Sequence, residues 1–64
     1  MKTSEEITKK AEAIWSVMTT SQKMGVKMGL FPSVLTDPKK LEAEGFSYAQ
    51  SNAVMTALLG LSRK

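Results

Sequence analysis

Residues 36 to 50 constrain this chain most, because a helix start, a helix stop and a second helix start follow one another there. Asp37-Pro38 pairs an N-cap side chain with a proline suited to the first helical position. Gly45 is a stop signal, a residue able to take positive φ just past a helix end. Ser47-Tyr48-Ala49-Gln50 is a capping box, with Gln50 placed to reach back to the backbone of Ser47. Phe46 is the large apolar residue between stop and start. The segment from Asp37 onward therefore predicts a short helix over 38–44, a tight turn and a last helix over 48–62, a helix–turn–helix-like hairpin.

Upstream, Thr3 and Glu6 form another capping box, and Ile7, Ala11, Ile14, Trp15 and Met18 recur on one helical face. This predicts an amphipathic helix over 4–19, with Glu5–Lys9 and Glu6–Lys10 spaced as i,i+4 ion pairs. Thr19-Thr20-Ser21 weakens helical continuity, since these side chains compete for backbone hydrogen bonds. Lys-Met-Gly then occurs twice, at 23–25 and 27–29, on a second short helix or a fraying continuation of the first. Leu30-Phe31-Pro32-Ser33-Val34-Leu35 is apolar for a connector. It is expected to plug the gap between the first helix and the hairpin, with Ser33 able to cap a single turn.

The resulting fold class is all-α, a small three-helix domain spanning residues 1–64. Its expected core is Ile7, Ile14, Trp15, Met18, Leu41, Phe46, Val54, Leu58 and Leu61. The last helix is unusual: between Val54 and Leu61 only Thr56 and Gly60 are not apolar. A helix apolar on most sides is buried on most sides. One face can pack inward; a second, carrying Tyr48, Met55 and Leu59, lacks an evident partner within the chain.

Composition narrows the chemistry. The 64 residues include no cysteine and no histidine, which removes thiolate metal sites, disulfides, the commonest general base and the commonest zinc ligand. Ser33, Ser47 and Ser51 have no histidine to activate them, and no glycine-rich phosphate loop is present. We expect no catalysis, metal, cofactor or small-molecule substrate. A chain of this size buries only about 60% of the surface its unfolded form exposes, so tight helix packing or a partner must hold it together. Its polar start and lack of a long apolar run suggest a cytoplasmic protein with no membrane segment.

Two functional readings follow. The first is a small non-enzymatic regulator that binds another protein, or pairs as a homodimer, through Tyr48, Met55 and Leu59, joined by Met24 and Met28. Contiguous apolar surface marks interfaces, and methionine adapts to partners. The alternative is a small DNA-binding helix-turn-helix transcriptional regulator, permitted by the net charge of +3. There Gln50 and Asn52 would meet base edges, and Lys39, Lys40, Arg63 and Lys64 would touch phosphates. Against it, the last helix has no cation before Arg63, and Glu42 and Glu44 lie where DNA would approach. The stretch from Leu41 to Val54 resembles the Gly-Phe turn of ubiquitin-associated domains. It is also similar to the Leu-Glu-x-x-Gly-Phe-Ser/Thr-x-x-Gln segment of the mitochondrial calcium uniporter regulator family. The likeness covers about a fifth of the chain and consists of residues that any capped helical turn selects. At most it implies an interaction module.

Overall fold

The computed structural model describes residues 2–64, which form helices joined by short turns, with no strand among them. The elements are α1 (Ser4–Val17), α2 (Thr20–Lys27), the single turn α3 (Ser33–Thr36), α4 (Pro38–Ala43) and α5 (Tyr48–Ser62). α4 and α5 have the bounds expected from Asp37-Pro38, Gly45 and the Ser47–Gln50 box to within a residue.

α1 stops two residues earlier than its periodicity suggests. Met18 leaves the helix with extended backbone (ψ 142°), and Thr19 opens α2 as an N-cap. The Thr19 hydroxyl accepts from the Gln22 N–H at 3.1 Å, and the Gln22 side-chain oxygen accepts from the Thr19 N–H at 2.9 Å. Thr19-Thr20-Ser21-Gln22 is thus a capping box that restarts a helix, which is stronger than a mere weakening of α1. The bend carries Met18 into the interior.

Among the described residues the two with positive φ are glycines, and both close a helix in the same way. At Gly45 (φ 98°) the Gly45 N–H donates to Glu42 O and the Phe46 N–H to Leu41 O, at 2.9 and 3.0 Å. At Gly29 (φ 88°) the Gly29 N–H donates to Val26 O and the Leu30 N–H to Gly25 O, at 2.9 and 2.8 Å. These are Schellman motifs, which normally bring together the apolar residue after the glycine and the residue five positions before it. Phe46 and Leu41 both lie in the core. The partner position for Leu30 is Gly25, which offers no side chain for the usual apolar contact. The two Lys-Met-Gly copies therefore differ in role: Gly25 lies within α2, and Gly29 ends it.

α5 is the central element, with α1, α2 and α4 all packed on it. The buried apolar cluster is Ala11, Ile14 and Met18 of α1, Val26 of α2, Leu41 of α4, Phe46 of the turn, and Val54 and Leu58 of α5. Ile7, Trp15 and Leu61, expected within the core, are half-buried and pack against it, while Ala11, expected on the inward face of α1, and Val26, unanticipated, join it. A short connection then ties the start of α1 to the start of α5. The Gln50 Nε2 donates to Lys2 O at 2.7 Å, and Lys2 Nζ sits 5.3 Å from the Phe46 ring centroid. Further along α1, Lys10 reaches both Glu44 oxygens at 2.8 and 3.0 Å in place of Glu6, which lies 3.9 Å from Lys2. Glu5 and Lys9 pair as their spacing predicts, at 3.5 Å. Such exposed pairs contribute about 0–1 kcal/mol each, so they follow the packing more than they create it.

Two glycine substitutions should move stability in opposite directions. Gly45→Ala forces a side chain into left-handed backbone and sets its Cβ 3.2 Å from Lys2 Cε, and should cost about 1–2 kcal/mol. Gly60→Ala, in an exposed turn of α5 with open space around the new methyl, should add up to about 1 kcal/mol. Urea midpoints at constant m-value measure both.

Candidate interaction surface

α5 presents four distinct sides. Ser51, Val54, Leu58 and Ser62 point inward, joined at the first turn by Gln50. Asn52, Thr56, Gly60 and Arg63 point to solvent. Ala53, Ala57 and Leu61 line one flank, and Ala57 and Leu61 there pack against the core. The other flank holds Tyr48, Met55 and Leu59, separated by seven and four residues and so aligned on one stripe. Tyr48 is 76% exposed. Met55 and Leu59 are half-buried, and neither is among the residues that pack against the buried cluster. The stripe expected from the sequence is thus open at Tyr48 and partly covered further along.

α2 supplies the other expected members. Val26 anchors its inner side, which leaves Met24 and Met28, one turn apart, facing outward at 63% and 78% exposure. Leu30 extends this strip and is also exposed. Only half of the connector covers apolar surface, where the whole of it is expected to from the sequence. Phe31 and Leu35 pack against the core, whereas Leu30 and Val34 stand in solvent. The reason is local: the Gly29 motif places Leu30 over α2, and the single turn α3 can direct only one side, Leu35 and Thr36, inward. Val34 and Val17, with Ala13, Ile14 and Leu35, line a groove of about 230 Å³ between α1 and α3, edged by Lys10, Lys40 and Glu44. That is below the range typical of ligand pockets. Helical periodicity carries no sign of it, because Val34 lies in a connector and Val17 at a helix end.

Of the residues of the nucleic-acid alternative, Gln50 is withdrawn from solvent. Gln50, expected at a base edge, is only 8% exposed. Its oxygen accepts from the Ser47 N–H at 3.0 Å while its amide nitrogen holds Lys2 O. The capping box legible in the sequence is what withdraws this side chain from solvent. Asn52 is exposed on the outer side of α5. Lys39 and Lys40 are exposed on α4, where Lys40 Nζ donates to Val34 O at 3.2 Å. Arg63 and Lys64 lie beyond the other end of α5, a helix of about 22 Å.

The buried hydroxyls are engaged locally: Ser51 donates to Ser47 O, Thr36 to Pro32 O and Ser62 to Leu59 O. Among the described residues no buried side-chain polar atom lacks a partner, and no group of acids could hold a metal ion. No helix among them is long and apolar enough to cross a membrane. No family model, curated protein or solved structure matches the chain.

Gln50→Ala should destabilise the fold by about 1–2 kcal/mol, since it removes a cap partner and the tie to Lys2. Asn52→Ala, on the open side of the same helix, should stay within about 0.5 kcal/mol of wild type. Chemical denaturation of the pair distinguishes a structural Gln50 from a free one.

Proposed function

We propose that this chain is a small non-enzymatic regulatory protein that acts by binding another protein through apolar surface on α2 and α5. The observation that carries the reading is the exposure of Met24, Met28 and Tyr48 on a chain whose core already has α1, α2 and α4 packed on α5. Large apolar side chains left in water at no structural gain are candidates for burial against a partner. Tyrosine and methionine both suit such a contact, since one brings rigid area with a polar tip and the other an adaptable thioether. Met55 and Leu59 would contribute where the stripe continues along α5. A cytoplasmic setting accords with a sequence that contains no cysteine. DNA binding is the weaker reading, since Gln50 is committed within the fold and Lys40 Nζ already donates to Val34 O.

Panning a random-peptide display library against the immobilised full chain tests the proposal. Recovered peptides should lose at least about tenfold in affinity to Tyr48→Glu or Met24→Glu, with helical content by circular dichroism unchanged. Failure to recover any binder, or binders indifferent to both substitutions, would overturn it. Tight, sequence-selective binding to duplex DNA that weakens steeply with salt and with Lys39→Ala/Lys40→Ala would install the alternative.

A further inference from the structure

The charges of this protein are segregated. Its acids are Glu5, Glu6 and Glu12 on α1 and Asp37, Glu42 and Glu44 at or beside α4. Residues 13–36 and 45–64 contain none. α2 and α5, which pack on each other, therefore carry only Lys23, Lys27 and, at the end of α5, Arg63 and Lys64. Three of the acids already have cations of their own, in the pairs Glu5–Lys9, Glu6–Lys2 and Glu44–Lys10. No acid pairs with Lys23 or Lys27 among the described residues; Lys23 Nζ instead lies 5.0 Å from the Trp15 ring centroid.

The same helix carries the exposed methionines. Lys23 and Lys27 are one turn apart, as are Met24 and Met28, so the two pairs run side by side along α2, with Lys27, Met24 and Met28 exposed and Lys23 half-buried on the flank toward Trp15. Leu30 follows, its N–H bonded to Gly25 O. From this juxtaposition we infer that the outward face of α2 docks an acidic, apolar-faced segment of another protein. The inference rests on the protein-binding reading and specifies its partner.

Charge decides between possible occupants. A second copy joined through a two-fold axis would set Lys23 and Lys27 against their own equivalents. A nucleic-acid backbone would gain from the lysines and nothing from Met24, Met28 and Leu30. A membrane-surface helix lays a broad face of Trp, Phe or Leu into the lipid, whereas α2 and its cap offer only Met24 and Met28 outward. An acidic segment with an apolar stripe satisfies both halves of the face: carboxylates speed and orient the encounter, and apolar contact slows release.

The test uses the full chain, ¹⁵N-labelled, and two designed helical peptides of about five turns. They share one leucine stripe and differ in carrying glutamate or lysine at every other position. The glutamate peptide should bind, with amide shifts centred on Met24, Met28 and Leu30, and the lysine peptide should bind at least about tenfold more weakly. Lys27→Glu alters an exposed position and should narrow that preference; adding Lys23→Glu should reverse it. Equal binding of both peptides would overturn the acidic partner and leave the protein-binding reading standing. So would shifts centred on Tyr48 and Met55, which would place the contact on α5. Binding of neither peptide would overturn the inference, and the display selection then decides the broader reading independently. Shifts at α2 produced more strongly by phosphatidylglycerol vesicles or duplex DNA than by the glutamate peptide would also overturn it.

Discussion

The fold depends on how Phe46 is held. Gly45 takes positive φ, the Phe46 N–H closes onto Leu41 O, and the ring is delivered into the core beside Leu41. The next residue, Ser47, already caps α5, so one short turn ends a helix, seats a core side chain and starts the central helix. Gln50 completes the arrangement by bonding back to Ser47 and outward to Lys2. In a chain this small, where a few kcal/mol separate folded from unfolded, so much coupling in one turn makes it the point of greatest sensitivity.

The rest follows from packing around α5. Because α1, α2 and α4 all lie on this helix, its apolar residues are divided between inner face, covered flank and open flank. Val54 and Leu58 are wholly buried, Leu61 and Ala57 support the core from one side, and the line from Tyr48 to Leu59 runs from open to half-covered. The all-round apolarity of α5 is thus mostly consumed by three packing neighbours. What stays in solvent shifts toward Tyr48 and toward the outer side of α2. Segregated charge adds direction to that surface, since α2 faces water with Lys27, Met24 and Met28 and no acid.

Much of this is legible in the sequence. Capping boxes, Asp37-Pro38 and Gly45 locate α4 and α5 because they satisfy backbone groups locally, and local hydrogen bonds need no knowledge of the rest of the chain. Helical periodicity likewise marks Ile14, Met18, Leu41, Val54 and Leu58 as inward-facing. Thr19–Gln22 and Gly29 are signals of the same kind that are harder to see, the first masked by the poor helix propensity of its neighbours, the second by the repeat in which it sits. Tyr48, Met55 and Leu59 can be read as a stripe, though the degree of its exposure cannot.

Sequence alone therefore determined the helical class, the positions of α1, α4 and α5, and the absence of thiol and imidazole chemistry, all of which are set by residue identity or by contacts within a few positions. Only the tertiary structure decided which apolar residues remain in water and which polar ones are withdrawn from it. Leu30 and Val34 emerge while Phe31 and Leu35 sink, and Gln50 is turned from a free polar group into a bracket for Lys2. Exposure depends on which helices meet, and that is fixed by packing between residues far apart in the chain, as where Ala11, Ile14 and Met18 join one cluster with Val54 and Leu58.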